Sequence, residues 1–156
     1  MQRVDSIGIE SQTKGLARKR GQFMIKGLNN VWSIDGHDKL SRFGFQIYGT
    51  IDAYSCYMVW CFVSHSNRTE VSVNKQFLKV VHSHNTIPQL VRSDKGTETI
   101  LPCNSQLVLH LAIHPTIFIR KVYSYVTSMK NQRIESWWNL LANAQTDTWR
   151  EIFRVL

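Results

Sequence analysis

The sequence has few acidic residues, few cysteines and no long apolar run, and each shortage excludes a class of protein. The three cysteines, Cys56, Cys61 and Cys103, form no CxxC pair, which argues against a disulfide framework or a four-ligand zinc site and favours a reduced compartment. No stretch reaches the ~18 apolar residues of a transmembrane helix. The opening residues MQRVDSIGIE lack the apolar segment of a signal peptide. We therefore expect an intracellular protein that does not enter a membrane.

The residues that are present indicate one folded, basic domain. Of the 156 residues, 43% are hydrophobic and 11% are aromatic, which is enough for a buried core and excludes a disordered linker. Lysine and arginine number 19 and acidic residues 11, so the formal net charge is +8 at pH 7. That balance favours a polyanionic partner, with nucleic acid ahead of an anionic membrane surface.

The positive charge is concentrated at the amino terminus. Residues 1–30 contain six basic and two acidic residues, and residues 14–30 hold three glycines with little apolar periodicity. We therefore divide the chain into a basic arm, residues 1–30, and a core domain, residues 31–156. Arg18, Lys19 and Arg20 in the arm are candidates for contacts with DNA phosphates. A solvated basic segment is an equal alternative, and short basic runs are also typical of nuclear-localisation signals, which favours a nuclear protein.

The first half of the core domain predicts an antiparallel meander followed by a helix. Three β-branched and aromatic runs follow one another closely: VWSID, FGFQIYGTIDAYS and CYMVWCFVS. The next segment, EVSVNKQFLKVVHSHN, has helical spacing with four apolar residues on one stripe: Val73, Phe77, Val80 and Val81. Asn85 and Pro88 should end this helix.

The second half predicts alternating strands and helices. IPQLVRSDKGTE is typical of a strand that runs into a turn, residues 104–111 favour a short helix, and LAIHPTIFIRKVY is interpreted as a strand. The last segment, KNQRIESWWNLLANAQTDTWREIFRVL, is interpreted as a helix. The order β-β-β-α-β-α-β-α is a mixed α/β pattern, and the helix between the third and fourth strands indicates a crossover and a partly parallel sheet.

Three acidic residues stand where they can converge. Asp35 closes the first predicted strand, Asp94 closes the fourth, and Glu135 lies in the first turns of the last helix. Carboxylates at the carboxyl ends of neighbouring parallel strands meet at one edge of the sheet. Such a cluster is unfavourable without hard divalent cations such as Mg²⁺ or Mn²⁺, which support phosphoryl transfer. Taken singly, each residue also fits a turn, a cap or a solvated position, and Asp52 fits a turn better than a site.

Four segments resemble a known family: VWSIDGHDKL, IYGTIDAYSCYMVW, LVRSDKGTET and NQRIESWWNLL. They are similar to the catalytic core of DDE-type integrases and transposases, closest to the integrase core domains of transposons and retroelements, over residues 14–145. Fifty-eight residues separate Asp35 from Asp94 and forty separate Asp94 from Glu135, which agrees with the spacing of that family. The resemblance implies an RNase H-like mixed five-stranded sheet flanked by helices.

The resemblance also implies a site and its partners. It makes Asp35, Asp94 and Glu135 the catalytic triad that binds two Mg²⁺ ions (or Mn²⁺), with DNA as the substrate and a homo-oligomer on DNA as a possible assembly. It further implies positions close to DNA for five neighbouring residues: Lys39, Lys95, Asn131, Gln132 and Arg133. Helix capping is an equal alternative for Asn131 and Gln132. Gly36 and Gly96 leave room for a phosphate backbone to approach.

Three functions follow from these observations. The first is a metal-dependent polynucleotidyl transferase that cleaves and joins DNA strands for integration. The second is a catalytically inactive, nucleic-acid-binding remnant of a mobile element that retains the fold and the basic charge. The third, an RNase H-like hydrolase, ranks last because that type of enzyme needs an extra acid on its first helix, where this sequence offers only Glu70.

Overall fold

A five-stranded mixed sheet is the centre of the protein in a computed structural model that describes residues 25–65, 69–126, 131–143 and 147–155. The strands are β1 (Val31–His37), β2 (Gln46–Asp52), β3 (Met58–Ser64), β4 (Leu90–Ser93) and β5 (Tyr123–Tyr125). Their order across the sheet is β3-β2-β1-β4-β5. The β1–β2 and β2–β3 pairs are antiparallel, whereas β4 is parallel to both β1 and β5. The central strand β1 therefore joins the antiparallel and parallel halves.

Five α-helices are described around this sheet. They are α1 (Glu70–His84), α2 (Ile100–Leu111), α3 (Ile119–Val122), α4 (Gln132–Leu141) and α5 (Asp147–Val155). Thr69 caps the start of α1 by accepting a hydrogen bond from the Ser72 amide, and Asn85 ends α1 in the left-handed conformation. Within the described helices, none is long and apolar enough to cross a membrane.

The two faces of the sheet pack against different helices. On one face, Trp32 and Ile34 of β1 join the apolar stripe of α1 in a buried cluster. On the other face, Ile47 and Ile51 of β2 pack against Ile134 and Trp138 of α4. Because successive residues of a strand point to opposite faces, Asp35 lies on the face that α4 covers. The helices thus enclose the sheet on both sides and place α4 over the centre of β1.

The first half of the domain confirms the expected order. The antiparallel meander forms, and α1 buries the four predicted residues: Val73, Phe77, Val80 and Val81. One boundary differs, because β1 continues two residues beyond Asp35 to His37, which pairs with Ile47 of β2. Asp35 is therefore a residue within the strand and does not close it.

The second half requires three corrections. The helix predicted over residues 104–111 begins earlier, at Ile100. The strand predicted from LAIHPTIFIRKVY is wrong, because that segment forms turns and α3, and only Tyr123–Tyr125 pair with β4. The last helix is described as two helices, α4 and α5, with residues 144–146 outside the described part. Most of the predicted basic arm also lies outside the described residues, which begin at residue 25.

Candidate active site

A cleft opens where β1, β2 and the segment after β4 meet. Its volume is about 450 Å³. Its walls include the carboxylates of Asp35, Asp38, Asp94 and Glu98 together with Gly36, Gln46, Ile47, Tyr48, Gly96 and Thr97. The parallel pairing explains this geometry, because Ser33 is level with Arg92, and continuing the register by two residues brings Asp35 level with Asp94. The cleft is thus acidic within a basic chain.

Asp35 is the most perturbed carboxyl group in the cleft. Its pKa rises from 3.8 to about 7, chiefly because of burial, and the negative charges of Asp94 and Glu135 act in the same direction. Hydrogen bonds from Trp138 and from the Gly36 backbone act in the opposite direction and are too weak to offset burial. Near pH 7, therefore, this carboxyl group is close to half protonated, and a nearby cation would favour its ionised form.

Trp138 of α4 fixes the orientation of Asp35. Its indole Nε1 donates a hydrogen bond to Asp35 Oδ2 at 3.0 Å, across 103 positions in the sequence. The indole lies directly over Gly49, where a Cβ atom would come within 3.0 Å of its ring. His37 stacks on the indole, with ring centroids 5.0 Å apart. Trp138 is therefore a core residue, and the absence of a side chain at Gly49 lets its indole reach the carboxylate.

Asp94 and Glu98 flank a tight turn after β4. Asp94 follows Ser93, the last residue of the strand, and Glu98 lies in a single turn of 3-10 helix, Thr97–Thr99. The buried Thr99 hydroxyl donates to the carbonyl of Gly96 at 2.7 Å and closes this turn. A Cβ atom at position 96 would overlap the Glu98 carboxylate, so a larger residue there would displace the end of that side chain.

Glu135 and Asn131 lie at the beginning of α4. Glu135 is half-buried in the first turn, and its charge contributes to the raised pKa of Asp35, so the two carboxylates are within electrostatic range. Asn131 is 2% exposed, makes no side-chain cap, and its Nδ2 donates to the Ile34 carbonyl at 3.2 Å. Asn131 therefore attaches α4 to β1 beside Asp35, and the capping alternative is wrong for its side chain.

Four of the other predicted DNA-contacting residues lie in the described part of the chain and are exposed. Lys39 lies in the turn after β1, Lys95 directly follows Asp94, and Gln132 begins α4. Arg133 is also exposed and donates to Cys56 Sγ at 3.4 Å. Arg18, Lys19 and Arg20 lie outside the described residues. These seven side chains remain predictions for DNA contact.

The glycines beside the two aspartates serve the protein's own packing. A Cβ atom at Gly36 would approach the ring of Tyr48 to 3.1 Å, and the Glu98 carboxylate occupies the corresponding space at Gly96. The approach of a phosphate at these two glycines stays a prediction.

The cleft has the donor set of a site for hard cations, although its side chains are spread apart. Carboxylate oxygens are the ligands that Mg²⁺ and Mn²⁺ prefer, and Asp35, Asp94 and Glu98 supply them. Across the described segments, no three His, Cys, Asp or Glu side chains are grouped so as to hold a metal ion. The residue types in the cleft therefore fit a divalent cation, although their present arrangement does not form a metal-binding group.

The cleft residues Tyr48 and Glu98 were not among the sequence-based candidates. Tyr48 of β2 is 5% exposed, and its hydroxyl has no hydrogen-bond partner in the described part of the protein. Glu98 is the fourth residue after Asp94 in a chain with only five glutamates, and that proximity is the signal that could have found it. Tyr48 lies within an ordinary β-strand pattern and gave no signal.

Comparison with known families decides the classification. A family model described as an integrase core domain matches residues 22–156. The chain belongs to the integrase core domain family. A comparison with curated protein sequences finds no match.

The family assignment agrees with the observed sheet. The mixed five-stranded sheet flanked by helices is the RNase H-like fold of an integrase core, so the predicted fold class is confirmed. The assignment supports a retroelement-type integrase as the kind of protein to which this domain belongs.

Proposed function

We propose that this integrase core domain is a polynucleotidyl transferase that cleaves and joins DNA strands with Mg²⁺ or Mn²⁺ held by Asp35, Asp94 and Glu135. The observation that carries the proposal is the single cleft that Asp35 of β1 and Asp94 after β4 both line. Family membership supports it, because integrase core domains generally use divalent metals.

The position of Glu135 supports its inclusion in the triad. Its charge acts on Asp35, and Asn131 anchors the start of the same helix to β1. Glu135 is half-buried on the first turn of α4, so a change of rotamer moves its carboxylate without moving the helix. Glu135, the third proposed ligand, therefore lies on a helix that is already held against β1, the strand that carries Asp35.

The residues of the cleft would have separate roles in the reaction. When bound at Asp35, Asp94 and Glu135, divalent cations would activate the attacking hydroxyl and stabilise the leaving oxygen of a phosphodiester. Asp35 would bind a cation as the ionised carboxylate, because a positive charge nearby would offset the burial that raises its pKa to about 7. Trp138 keeps one Asp35 oxygen in a fixed direction. Positioning of this kind lowers the entropic cost of reaching the reactive geometry.

Basic and polar side chains near the cleft would hold the DNA. Lys39 and Lys95 are exposed beside Asp35 and Asp94, and Gln132 and Arg133 are exposed at the start of α4. Contacts of this type to phosphates position the strand without reading its sequence. Arg18, Lys19 and Arg20 would add charge, and assembly on DNA as a homo-oligomer belongs to the same proposal.

A strand-joining assay tests the proposal without knowledge of the natural DNA end. The full chain is incubated with Mn²⁺, a supercoiled plasmid and a pool of duplexes with randomised ends, and the joined products are sequenced. We expect joined products with the wild type and a loss of at least about 100-fold with Asp94→Asn, since removal of a metal ligand removes transition-state stabilisation.

Two controls separate an enzyme from an inactive remnant. Glu151→Gln removes one carboxylate from the exposed surface of α5 and should leave joining unchanged. Duplex binding in Ca²⁺ should be similar for the wild type and Asp94→Asn. Salt-sensitive DNA binding by both proteins with no products from either would contradict the catalytic proposal and leave the nucleic-acid-binding remnant.

A further inference from the structure

Tyr48 is a buried hydrogen-bond donor on the wall of the acidic cleft with nothing to donate to. The side chain is 5% exposed, and its hydroxyl makes no hydrogen bond in the described part of the chain. The ring stacks on Trp60, with centroids 5.9 Å apart, and lies against Gly36. These contacts fix the ring, so the hydroxyl cannot swing away to find a partner. A buried donor without an acceptor costs free energy, so an acceptor that reaches the hydroxyl in another state would stabilise that state.

Charge and position both identify the acceptor. The negative charge of Glu98 is the largest electrostatic cause, after burial, of the raised pKa of Tyr48, ahead of Asp94 and Asp35. Glu98 lines the same cleft, and its carboxylate now lies against Gly96. Tyr48 stays protonated because its pKa is well above 10, and it therefore acts only as a neutral donor at physiological pH.

The turn that carries Glu98 is fixed, whereas its side chain is long enough to move. Thr99 is fully buried and closes the turn through its bond to Gly96, and the turn packs against α1. The backbone of Glu98 is thereby held beside Asp94, and rotation about its side-chain bonds alone changes where the carboxylate points.

We infer that Glu98 is an additional carboxylate ligand of the divalent cation held by Asp35 and Asp94, and that Tyr48 is the positioning residue that donates a hydrogen bond to Glu98 in the cation-loaded protein. The inference rests on the proposed function and adds a fourth carboxylate to its site. The unpaired Tyr48 hydroxyl distinguishes this cluster from acidic residues that only share a surface. It is a hydrogen-bond donor that is available to the Glu98 carboxylate.

Thermal melting of the full chain with Mg²⁺ alone, without DNA, tests the inference. Wild type, Glu98→Gln, Tyr48→Phe and the double variant are melted over a range of Mg²⁺ concentrations at fixed ionic strength. A ligand that binds only the folded state raises the melting temperature. We expect the Mg²⁺ concentration for half of the full shift to rise about tenfold in Glu98→Gln and severalfold in Tyr48→Phe. The double variant should match Glu98→Gln, because Tyr48 acts through Glu98.

The metal-free proteins supply a second readout. Tyr48→Phe should melt at the same temperature as the wild type or higher, since it removes an unsatisfied donor and keeps the ring. Tyr123→Phe is the matched control, because the Tyr123 hydroxyl donates to Ser93 Oγ at 3.0 Å in a buried position. That variant should melt lower at every Mg²⁺ concentration with an unchanged half-shift concentration.

Separate results would overturn the inference and the proposed function. An unchanged Mg²⁺ response in Glu98→Gln, or additive effects in the double variant, overturns the inference alone. A lower metal-free melting temperature for Tyr48→Phe does the same, because it reveals an existing structural partner. The proposed function fails instead if Mg²⁺ does not stabilise the wild type.

Discussion

The two ends of the β1–β2 pair each contain a shielded aspartate, and the two carboxylates have opposite surroundings. Asp52, at the end of β2, is 3% exposed and accepts hydrogen bonds from the Asn29, Tyr54 and Ser55 amides and from the Ser55 hydroxyl. At the other end, Asp35 accepts hydrogen bonds from the indole of Trp138 and from the Gly36 backbone. Two like charges lie near Asp35 as well.

The difference separates a structural carboxylate from a functional one. Four donors compensate Asp52 for the loss of water, so it closes the turn between β2 and β3, as the sequence predicted for it. Asp35 lacks such compensation, and its pKa rises to about 7. A buried carboxyl group that the protein leaves under-compensated is a candidate for binding something else. The segment around Asp52 thus has a structural explanation, whereas the segment around Asp35 lines the cleft.

Asp52→Ala should give the largest loss of stability. Four donors would lose their acceptor, and we expect the free energy of unfolding to fall by about 3–5 kcal/mol in chemical denaturation. Asp52→Asn should lose roughly half as much, because one oxygen can still accept the three bonds that now reach Oδ1. A loss below about 1 kcal/mol in Asp52→Ala would break the contrast between the two ends.

Asp35→Asn should raise the free energy of unfolding, and the size of this increase should depend on pH. In metal-free wild type, the folded state holds the Asp35 proton between pH 3.8 and about 7 while the unfolded state releases it. The free energy of unfolding therefore falls as pH rises through this window, and the loss is complete above it. Asn has no proton to lose and can still accept from Trp138.

The measurement is denaturant unfolding in EDTA from pH 4 to pH 8. We expect Asp35→Asn to equal the wild type near pH 4 and to exceed it by on the order of 2–4 kcal/mol at pH 8. Asp38→Asn, on the exposed side of the same cleft, serves as a control without this trend. A difference between Asp35→Asn and wild type that stays constant with pH would show that Asp35 has an ordinary pKa.

Trp138→Phe sharpens the comparison by removing the indole donor at the Asp35 end. The pKa of Asp35 should rise further because this hydrogen bond lowers it, and Mg²⁺ should then bind about three- to tenfold more weakly at pH 7, by thermal shift. Stability should fall by about 1–2 kcal/mol from lost packing. Trp137→Phe is the matched control, since Trp137 packs in the same cluster and should leave the Mg²⁺ response unchanged. Equal Mg²⁺ affinity in both variants would contradict the role of the indole.

Long periodic segments allowed much of the fold to be predicted. The meander and α1 have alternating or helical spacing over many residues, and both formed as expected. The strand predicted before β5 was wrong. The β-branched residues of that segment are typical of a strand, but the edge strand of the sheet has only three residues, Tyr123–Tyr125. The other residues of that segment form turns and α3. Tertiary context, which a local pattern does not contain, decided that segment.

The candidate site was partly readable for the same reason. Parallel pairing of β1 with β4 follows from the crossover, and it brings Asp35 and Asp94 to one cleft as expected. The Trp138–Asp35 bond joins residues 103 positions apart and depends on the space over Gly49, so no local pattern indicates it. The sequence does not indicate the role of Tyr48 either, because whether its hydroxyl has a hydrogen-bond partner depends on residues that the fold brings near it.

Replacement of single lysines by alanine should give the smallest effect, a change in the salt dependence of DNA binding. It should distinguish the Asp35 end from the rest of the surface. Lys39 and Lys95 are exposed beside the cleft, whereas Lys79 is exposed on α1. Each phosphate contact on duplex DNA contributes about −0.9 to the slope of log K against log salt concentration. Lys39→Ala and Lys95→Ala should each flatten the slope by about one contact, as measured by fluorescence anisotropy with Ca²⁺ present, and Lys79→Ala should leave it unchanged. Equal slopes for all three variants would mean that the cleft does not orient the duplex. The charge of +8 would then act as a diffuse attraction, with Asp35 and Asp94 facing no preferred strand.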